Sequence, residues 1–434
     1  MQLRSFVPLF SVALTVAILY LFGLPPARSL ALLVISQTAT ILSLGLFSRE
    51  ADALSALSLG LAGAAVALQF SPDVMPPLAS IVLSLVVGTM SYVLLVRHPR
   101  LSLSPSLVAG KLVVVTGSSA GIGLETATQL LSLGATVIFA CRSEGRARSA
   151  MRAALAAATQ RAGHVATERA IFVPLDLSSL ASVAACASQV RVEAAKLRSG
   201  RQGLRSDGAD VLHALVCNAG GFSQRRSVTV DGFETNFGAN FLAHALLAEL
   251  LLPLLRASPG GGRVVAVSSS MHKVASVAEL LADPMSERSY GVFPAYQRSK
   301  LAQVVHTCEL QRREDAEWSS GGAAANAIAG GEGGPVTFTA VHPGNAQTEV
   351  SRNFPFPVHQ LYQLFQPLLL CAQAGLADAA SSSVYAVAAA DREPLRGAYL
   401  EKSAPVAPLP SATDAAAGRE LHELCEKLLR PWLR

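Results

Sequence analysis

The sequence predicts an α/β fold, a doubly wound parallel sheet, preceded by a multi-span α-helical membrane region. Three observations predict it. The 434-residue chain is 51% apolar and only 15% charged, whereas soluble domains carry about 25% charged residues. Its first hundred residues hold four long apolar runs without charge. From Lys111 onward, short β-branched runs alternate with Ala/Leu-rich amphipathic stretches, the pattern of a parallel sheet covered on both faces by helices. The expected division is a transmembrane region of about four helices at 1–100, an α/β domain at 108–405 and a helical tail at 406–434.

The four runs are Phe6–Leu24, Leu30–Phe47, Ala53–Phe70 and Leu78–Val96. Each has about 18–19 residues, enough to cross a hydrocarbon core of roughly 30 Å as a helix. Pro25, Pro26 and Arg28, then Arg49, Glu50 and Asp52, then Pro72, Asp73, Pro76 and Pro77 break the runs as hairpin turns require. The first run, following Arg4, also has the form of a signal peptide. The third, rich in Ala, Gly and Ser, also fits a buried or re-entrant segment. With four spans, Arg4, Arg49, Arg97, Arg100 and Lys111 share one side and only Arg28 falls on the other. Positive flanks face the cytosol, so the expectation is a multi-pass membrane protein, in the endoplasmic reticulum, with its large C-terminal domain cytosolic.

The net charge of +5 contains no Lys/Arg block and no interleaved aromatics, which excludes a nucleic-acid partner from the expectations. All six cysteines lie after residue 100 without CxxC or metal-ligand spacing. Reduced thiols and no metal are expected.

The strands expected in the second region are Leu112–Thr116, Thr136–Ala140, Ile171–Leu175, Val211–Cys217, Arg263–Ser268, Val336–His342 and Ala398–Leu400. Ser199–Asp210 and the Gly/Ala-rich Ser319–Pro335 read as surface loops. The first strand runs into Gly117-Ser-Ser-Ala-Gly121-Ile-Gly123, with a helix-like stretch from about Leu124. Glycines between a strand and a helix let the backbone approach a pyrophosphate, whose charge sits at the helix N-terminus.

This segment resembles the TGxxxGxG fingerprint of the short-chain dehydrogenase/reductase family, and the resemblance covers roughly residues 108–400. It implies a Rossmann fold and a nicotinamide cofactor contacted by Gly117, Ser119, Gly121, Ile122 and Gly123. A ribose 2′-hydroxyl is usually read by a carboxylate at the end of the second strand, and a 2′-phosphate by a cation. Here that strand ends in Arg142, with Arg146 close behind, which in the family implies NADP(H). Asp176 and Leu177 resemble the adenine-contacting pair, though Asp176 also suits a helix cap. Cys217-Asn218-Ala219-Gly220 resembles the family's NNAG motif with Cys for the first Asn. Pro343, Gly344 and Thr348 resemble the PGxxxT segment that orients the nicotinamide.

Tyr296-Gln-Arg-Ser-Lys300 is the one YxxxK among seven tyrosines. On a helix this spacing puts both side chains on one face. A nearby ammonium favours the phenolate, and the expectation is a lowered tyrosine pKa suited to proton transfer. By register against the family, Ser269 is the catalytic serine, with Ser268 the fallback, polarising the substrate carbonyl. Asn240 resembles the family asparagine that holds a water against the lysine, but its setting, Asn240-Phe-Leu-Ala-His244, departs from the related NHLGH form. His272 and His342 read as structural. The stretch from Ser269 to Tyr296, with Glu279, Asp283, Glu287 and Tyr290, and the DGFE run Asp231–Glu234 resemble the retinol dehydrogenase and WW-domain oxidoreductase branch. No WW domain is visible. Beyond Thr348, Phe354-Pro-Phe-Pro and the apolar run Leu361–Leu370 suit a lipid-like ligand, a membrane surface or plain core packing.

The leading expectation is a membrane-anchored NADP(H)-dependent oxidoreductase of lipid metabolism. It would interconvert a hydrophobic carbonyl and alcohol: a retinoid, a sterol, or a lipid aldehyde or ketone. The expected partners are that small molecule and membrane lipid, with homo-oligomerisation left open. The alternative is a non-enzymatic membrane protein using the fold as an NADPH-sensing or binding module. The complete Ser–Tyr–Lys set argues against it.

Overall fold

A computed structural model describes residues 103, 107–162, 169–199, 211–321, 333–344 and 375–433. The four N-terminal apolar runs, Thr348, the Phe354-Pro-Phe-Pro run and Leu361–Leu370 lie outside the described residues, as do most of the two expected loops.

The described chain alternates strand and helix. In order, these are β1 (Leu112–Thr116), α1 (Gly121–Ser132), β2 (Thr136–Cys141), α2 (Glu144–Ala162), β3 (Ala170–Pro174), α3 (Leu180–Ser199) and β4 (Ala214–Cys217). A π-helical turn, Asn236–Leu242, leads into α4 (Ala243–Arg256). Then come β5 (Arg263–Val267), a 3₁₀ turn at Ser270–Val274, α5 (Val277–Ala282) and the long α6 (Val292–Ser319). The chain closes with β6 (Thr337–His342), α7 (Leu376–Ala388), β7 (Tyr399–Glu401), β8 (Ala404–Val406) and α8 (Ala415–Leu429).

The strands form one eight-stranded sheet in the order β3-β2-β1-β4-β5-β6-β7-β8. All neighbours are parallel except β7 and β8. Alternate residues of a strand face opposite sides. Leu112 and Val114 enter one core with Ile138, Leu215 and Val264, and Val113 and Val115 enter the other with Phe139, Val216 and Val265. Burial on both faces explains why these strands read as continuous apolar runs. The first core is roofed by α3, α4, α6 and α8, the second by α1, α2 and α7. The strand order reverses between β1 and β4, and ligands of such sheets bind at the strand ends beside that reversal.

The sequence reading and the structure differ in the following strand and helix boundaries. The fourth strand starts at Ala214, because the Leu212 N–H goes to the Leu254 carbonyl of α4 rather than to a strand. Helix α1 begins at Gly121, three residues early, since the glycine loop itself supplies its first turn. The short edge strand β8, centred on Pro405, went unread; proline is tolerated at an edge but gives no strand signal. Residues past 406 include α8, whose Leu421, Cys425 and Leu429 pack into the first core. Among the described residues one helical segment, Asn236–Arg256, is long and apolar enough to cross a membrane, and it is mostly buried inside this α/β unit.

Candidate active site

The glycine loop is shaped by backbone that only glycine tolerates easily. Gly117 and Gly121 have φ of 68° and 57°, in the left-handed region. A Cβ on Gly123 would lie 2.3 Å from Asn218 Nδ2 and 2.6 Å from the Gly117 carbonyl, so loop, helix and β4 end touch there. Helix α1 has no side-chain cap and no acidic residue in its first turn. Its positive end and first N–H groups therefore suit an anion. The residues present fit a dinucleotide's pyrophosphate.

The end of β4 is tied to β1 beside this loop. Asn218 Nδ2 donates to the Thr116 carbonyl at 2.9 Å, and the N–H groups of Asn218 and Ala219 donate to Thr116 Oγ1 at 3.0 and 2.9 Å. Arg142 and Arg146 are exposed past the end of β2, available to a 2′-phosphate. Asp176 is engaged locally: its Oδ1 accepts from Ser178 N at 3.0 Å and Ser178 Oγ at 2.8 Å. It does not cap α3, because the Leu180 N–H goes to Asp231 Oδ2 at 2.8 Å. Leu177 packs against the first core. Gly220 is exposed beside the Lys300 ammonium, and Pro343 and Gly344 follow the end of β6.

Tyr296 and Lys300 lie on one face of α6, with the Lys300 ammonium 5.7 Å from the tyrosine ring centroid. Ser269 caps the 3₁₀ turn after β5, accepting from Met271 N at 3.2 Å, and its hydroxyl is near enough to the Tyr296 phenol to lower the phenol's pKa. Ser268 is different: its buried hydroxyl donates to the Lys300 carbonyl at 2.8 Å, tying β5 to α6. The geometry thus brings Ser269, not Ser268, to the phenol.

Electrostatics correct one expectation. The tyrosine pKa is not lowered by the lysine. Burial pushes the Tyr296 phenol up to about 12, and the Ser269 hydroxyl pulls against this. The same burial brings the Lys300 ammonium down to about 8. Desolvation of the charged form dominates each shift. Lys300 Nζ donates to the Val267 carbonyl at 2.8 Å and to Gln303 Oε1 at 3.2 Å.

Asn240 sits in the π turn. Its side chain accepts from Gly221 N at 2.8 Å and donates to the Gly221 carbonyl at 3.0 Å and to Ser299 Oγ at 3.1 Å. It reaches Lys300 through Gln303, whose Nε2 donates to the Asn240 carbonyl at 2.9 Å. Sequence reasoning missed Gln303, and also Glu234, whose buried carboxylate accepts from Asn236 N, Asn236 Nδ2 and Phe237 N at 2.8–2.9 Å and so caps the π turn. In the sequence the DGFE run, Asp231–Glu234, carries only a family resemblance. Tyr290 donates to the Ser223 carbonyl at 2.6 Å and pins the stretch before α6 to the loop after β4. Phe222 lies against both Phe293 and Tyr296, with ring centroids 5.3 and 5.0 Å apart, giving the phenol an aromatic flank.

A parallel sheet with this strand order, a glycine loop at its reversal and a Ser–Tyr–Lys group beside it define a dinucleotide-binding oxidoreductase. A family model described as short chain dehydrogenase matches residues 111–279. The chain is 36% identical over 315 residues to polyprenol dehydrogenase of Mus musculus, covering 72% of this chain and 82% of that one. It is 33% identical over 344 residues to retinol dehydrogenase 14 of Homo sapiens, covering 77% and 90%. Among solved structures, an uncharacterized protein from Mycobacterium paratuberculosis matches with a TM-score of 0.50 and 27% identity, over 75% of this chain and 97% of that one. The chain belongs to the short-chain dehydrogenase/reductase family, whose members use nicotinamide cofactors.

Proposed function

We propose that the chain is a membrane-anchored, NADP(H)-dependent oxidoreductase that interconverts a hydrophobic carbonyl and its alcohol. The observation that carries this reading is the meeting of Ser269, Tyr296 and Lys300 beside the glycine loop. When bound, the cofactor exchanges a hydride with the carbonyl carbon. Ser269 donates a hydrogen bond to the substrate oxygen as negative charge develops there. Tyr296 passes its phenolic proton to that oxygen, or takes it back in the alcohol direction. Lys300, whose ammonium lies 5.7 Å from the Tyr296 ring centroid, would hold the cofactor ribose. Arg142 supports the choice of NADP(H), since a cation at this strand end suits a 2′-phosphate. The aromatic flank of Phe222 and Phe293 suits an apolar substrate. Relatives named for polyprenol and retinol dehydrogenation support the same class.

The test is NADPH oxidation by the purified full chain in detergent against retinoid, sterol, polyprenyl and fatty aldehydes or ketones. Tyr296→Phe should lower turnover by about 10²–10⁴-fold while cofactor binding persists. Unchanged reduction in that variant would falsify the assignment. The anchor rests on the four uncharged N-terminal runs. Alkaline carbonate washing should leave the chain with the membranes, and its release into the soluble fraction would remove the anchor from the proposal.

A further inference from the structure

Lys300 is buried with no carboxylate among the described groups that face it. The titratable neighbours are Cys217 at the end of β4, His244 on α4 and Tyr296 on α6 itself. Burial pushes the Cys217 thiol up to about 12 and takes the His244 imidazole down to about 4, so near neutral pH none of the three carries charge. What faces the ammonium is therefore dipoles: the Val267 carbonyl at 2.8 Å and Gln303 Oε1 at 3.2 Å.

The Gln303 amide cannot turn over without loss. Its Nε2 donates to the Asn240 carbonyl at 2.9 Å, which fixes Oε1 toward the lysine. The Asn240 carbonyl also accepts from His244 Nδ1 at 2.9 Å, and His244 Nε2 lies 2.9 Å from Thr116 Oγ1. With a neutral imidazole protonated at Nδ1, Thr116 donates to Nε2, and the same hydroxyl oxygen takes the N–H groups of Asn218 and Ala219. One continuous chain of hydrogen bonds thus runs from the lysine through Gln303 and the π turn to the cofactor end of β1. A buried network of this kind stabilises charge only while each member is paired.

We propose that Gln303 is a positioning residue of the reaction centre: its amide spans the gap between the Lys300 ammonium and the Asn240 carbonyl and sets the lysine's affinity for a proton. The inference rests on the proposed function for its consequence, the holding of cofactor and phenol, but its physical content is the state of Lys300. Gln303→Leu removes the dipole that faces the ammonium. Gln303→Glu keeps the shape and places a carboxylate there. The two changes act on the lysine with opposite sign, which a merely structural role does not produce.

The experiment is competitive acetylation of the full chain in detergent with acetic anhydride at graded pH, read at Lys300 by mass spectrometry. Thermal melting serves as the check that each variant is folded. In Gln303→Leu the midpoint of Lys300 reactivity should move down by about one pH unit, a tenfold change in proton affinity. In Gln303→Glu it should move up by at least as much. Should the Leu variant not fold, the isosteric Glu variant alone decides. A common midpoint in the unmodified chain and in the folded variants overturns the proposal. NADPH binding, followed by fluorescence over the same pH range, separates the two readings. Shifted Lys300 midpoints in a chain that binds no nicotinamide cofactor support Gln303's role and refute the cofactor function. Normal NADPH binding with unshifted midpoints does the reverse.

Discussion

Ser268 and Ser269 are neighbours in sequence with opposite tasks. Ser268 spends its hydroxyl on the Lys300 carbonyl inside the core, whereas Ser269 meets the phenol. Ser269→Ala should therefore lower turnover by about 10²–10³-fold, the cost of one oxyanion donor, with little change in melting temperature. Ser268→Ala should instead remove the tie between β5 and α6 and cost about 0.5–1.5 kcal/mol of stability. Steady-state kinetics and thermal melting of both variants check the contrast, and equal kinetic losses would undo it. Arg142→Ala should weaken NADPH binding about ten- to a hundredfold, as loss of a charge-assisted contact implies, and leave NADH binding nearly unchanged. Titration with both cofactors measures this, and equal affinities in the unmodified chain would end the NADP(H) reading. Tyr296 and Lys300 were legible in the sequence because an i,i+4 pair on a helix needs no knowledge of tertiary structure. The direction of the Tyr296 shift was not legible, because it depends on how far the site is desolvated, and that is set by packing from β4, β5 and the loop after β4.

At the scale of elements, the join between glycine loop and helix α1 makes two glycines unequal. A Cβ at Gly121 meets nothing within 4 Å, so Gly121→Ala carries only the strain of φ at 57°, about 1–2 kcal/mol. A Cβ at Gly123 would strike Asn218 Nδ2 and the Gly117 carbonyl, forcing Asn218 off Thr116. Gly123→Ala should thus lose cofactor binding and lower the melting temperature more than Gly121→Ala does. Binding and melting measured on both variants test this, and the reverse ranking would refute the packing argument. The glycine loop was readable because strand, glycines and helix follow one another in the chain. The π turn was not. Asn236-Phe-Gly-Ala-Asn240-Phe-Leu242 carries no sequence signal for π geometry, and the groups that hold the turn include the Glu234 carboxylate below it and Gly221 and Gln303 from other segments. The strand β8 was missed for a related reason: it is short, exposed and interrupted by Pro405, and exists only because β7 offers it an edge.

The whole α/β unit buries several histidines in neutral form, and this gives the fold an acid limit. Burial takes His213 and His306 down to about 3 and His244 down to about 4, and lowers His272 and His422 as well. Each lies where a proton would break something. His306 stacks on His422 with ring centroids 5.5 Å apart, locking α6 to α8. His272 accepts from Leu409 N at 3.2 Å, holding the segment before α8 against the turn after β5. In the unfolded chain a histidine titrates near 6.5. Between that value and the depressed folded value, the unfolded state binds the extra proton. Stability is therefore unaffected above about pH 7 and falls as pH drops below about 6.5, by roughly 1.4 kcal/mol per unit for each such histidine. Ordinary carboxylates titrate lower and Glu249, raised by burial, acts in the opposite sense, so the fall in stability from about pH 6.5 to 5 belongs mainly to these imidazoles. We expect the melting temperature of the full chain in detergent to be flat from pH 8 to 7 and to fall steeply between 6.5 and 5. His306→Phe removes one titrating group from a site already lined by Phe241 and His422. With three strongly depressed histidines carrying most of the slope, that variant should lose about a third of it. Denaturant unfolding at pH 7.5, 6.0 and 5.0 on both proteins gives the slopes directly. Equal slopes would show that His306 is protonated in the fold or that acid acts elsewhere, and the neutral α6–α8 contact would have to be abandoned as the origin of the acid limit.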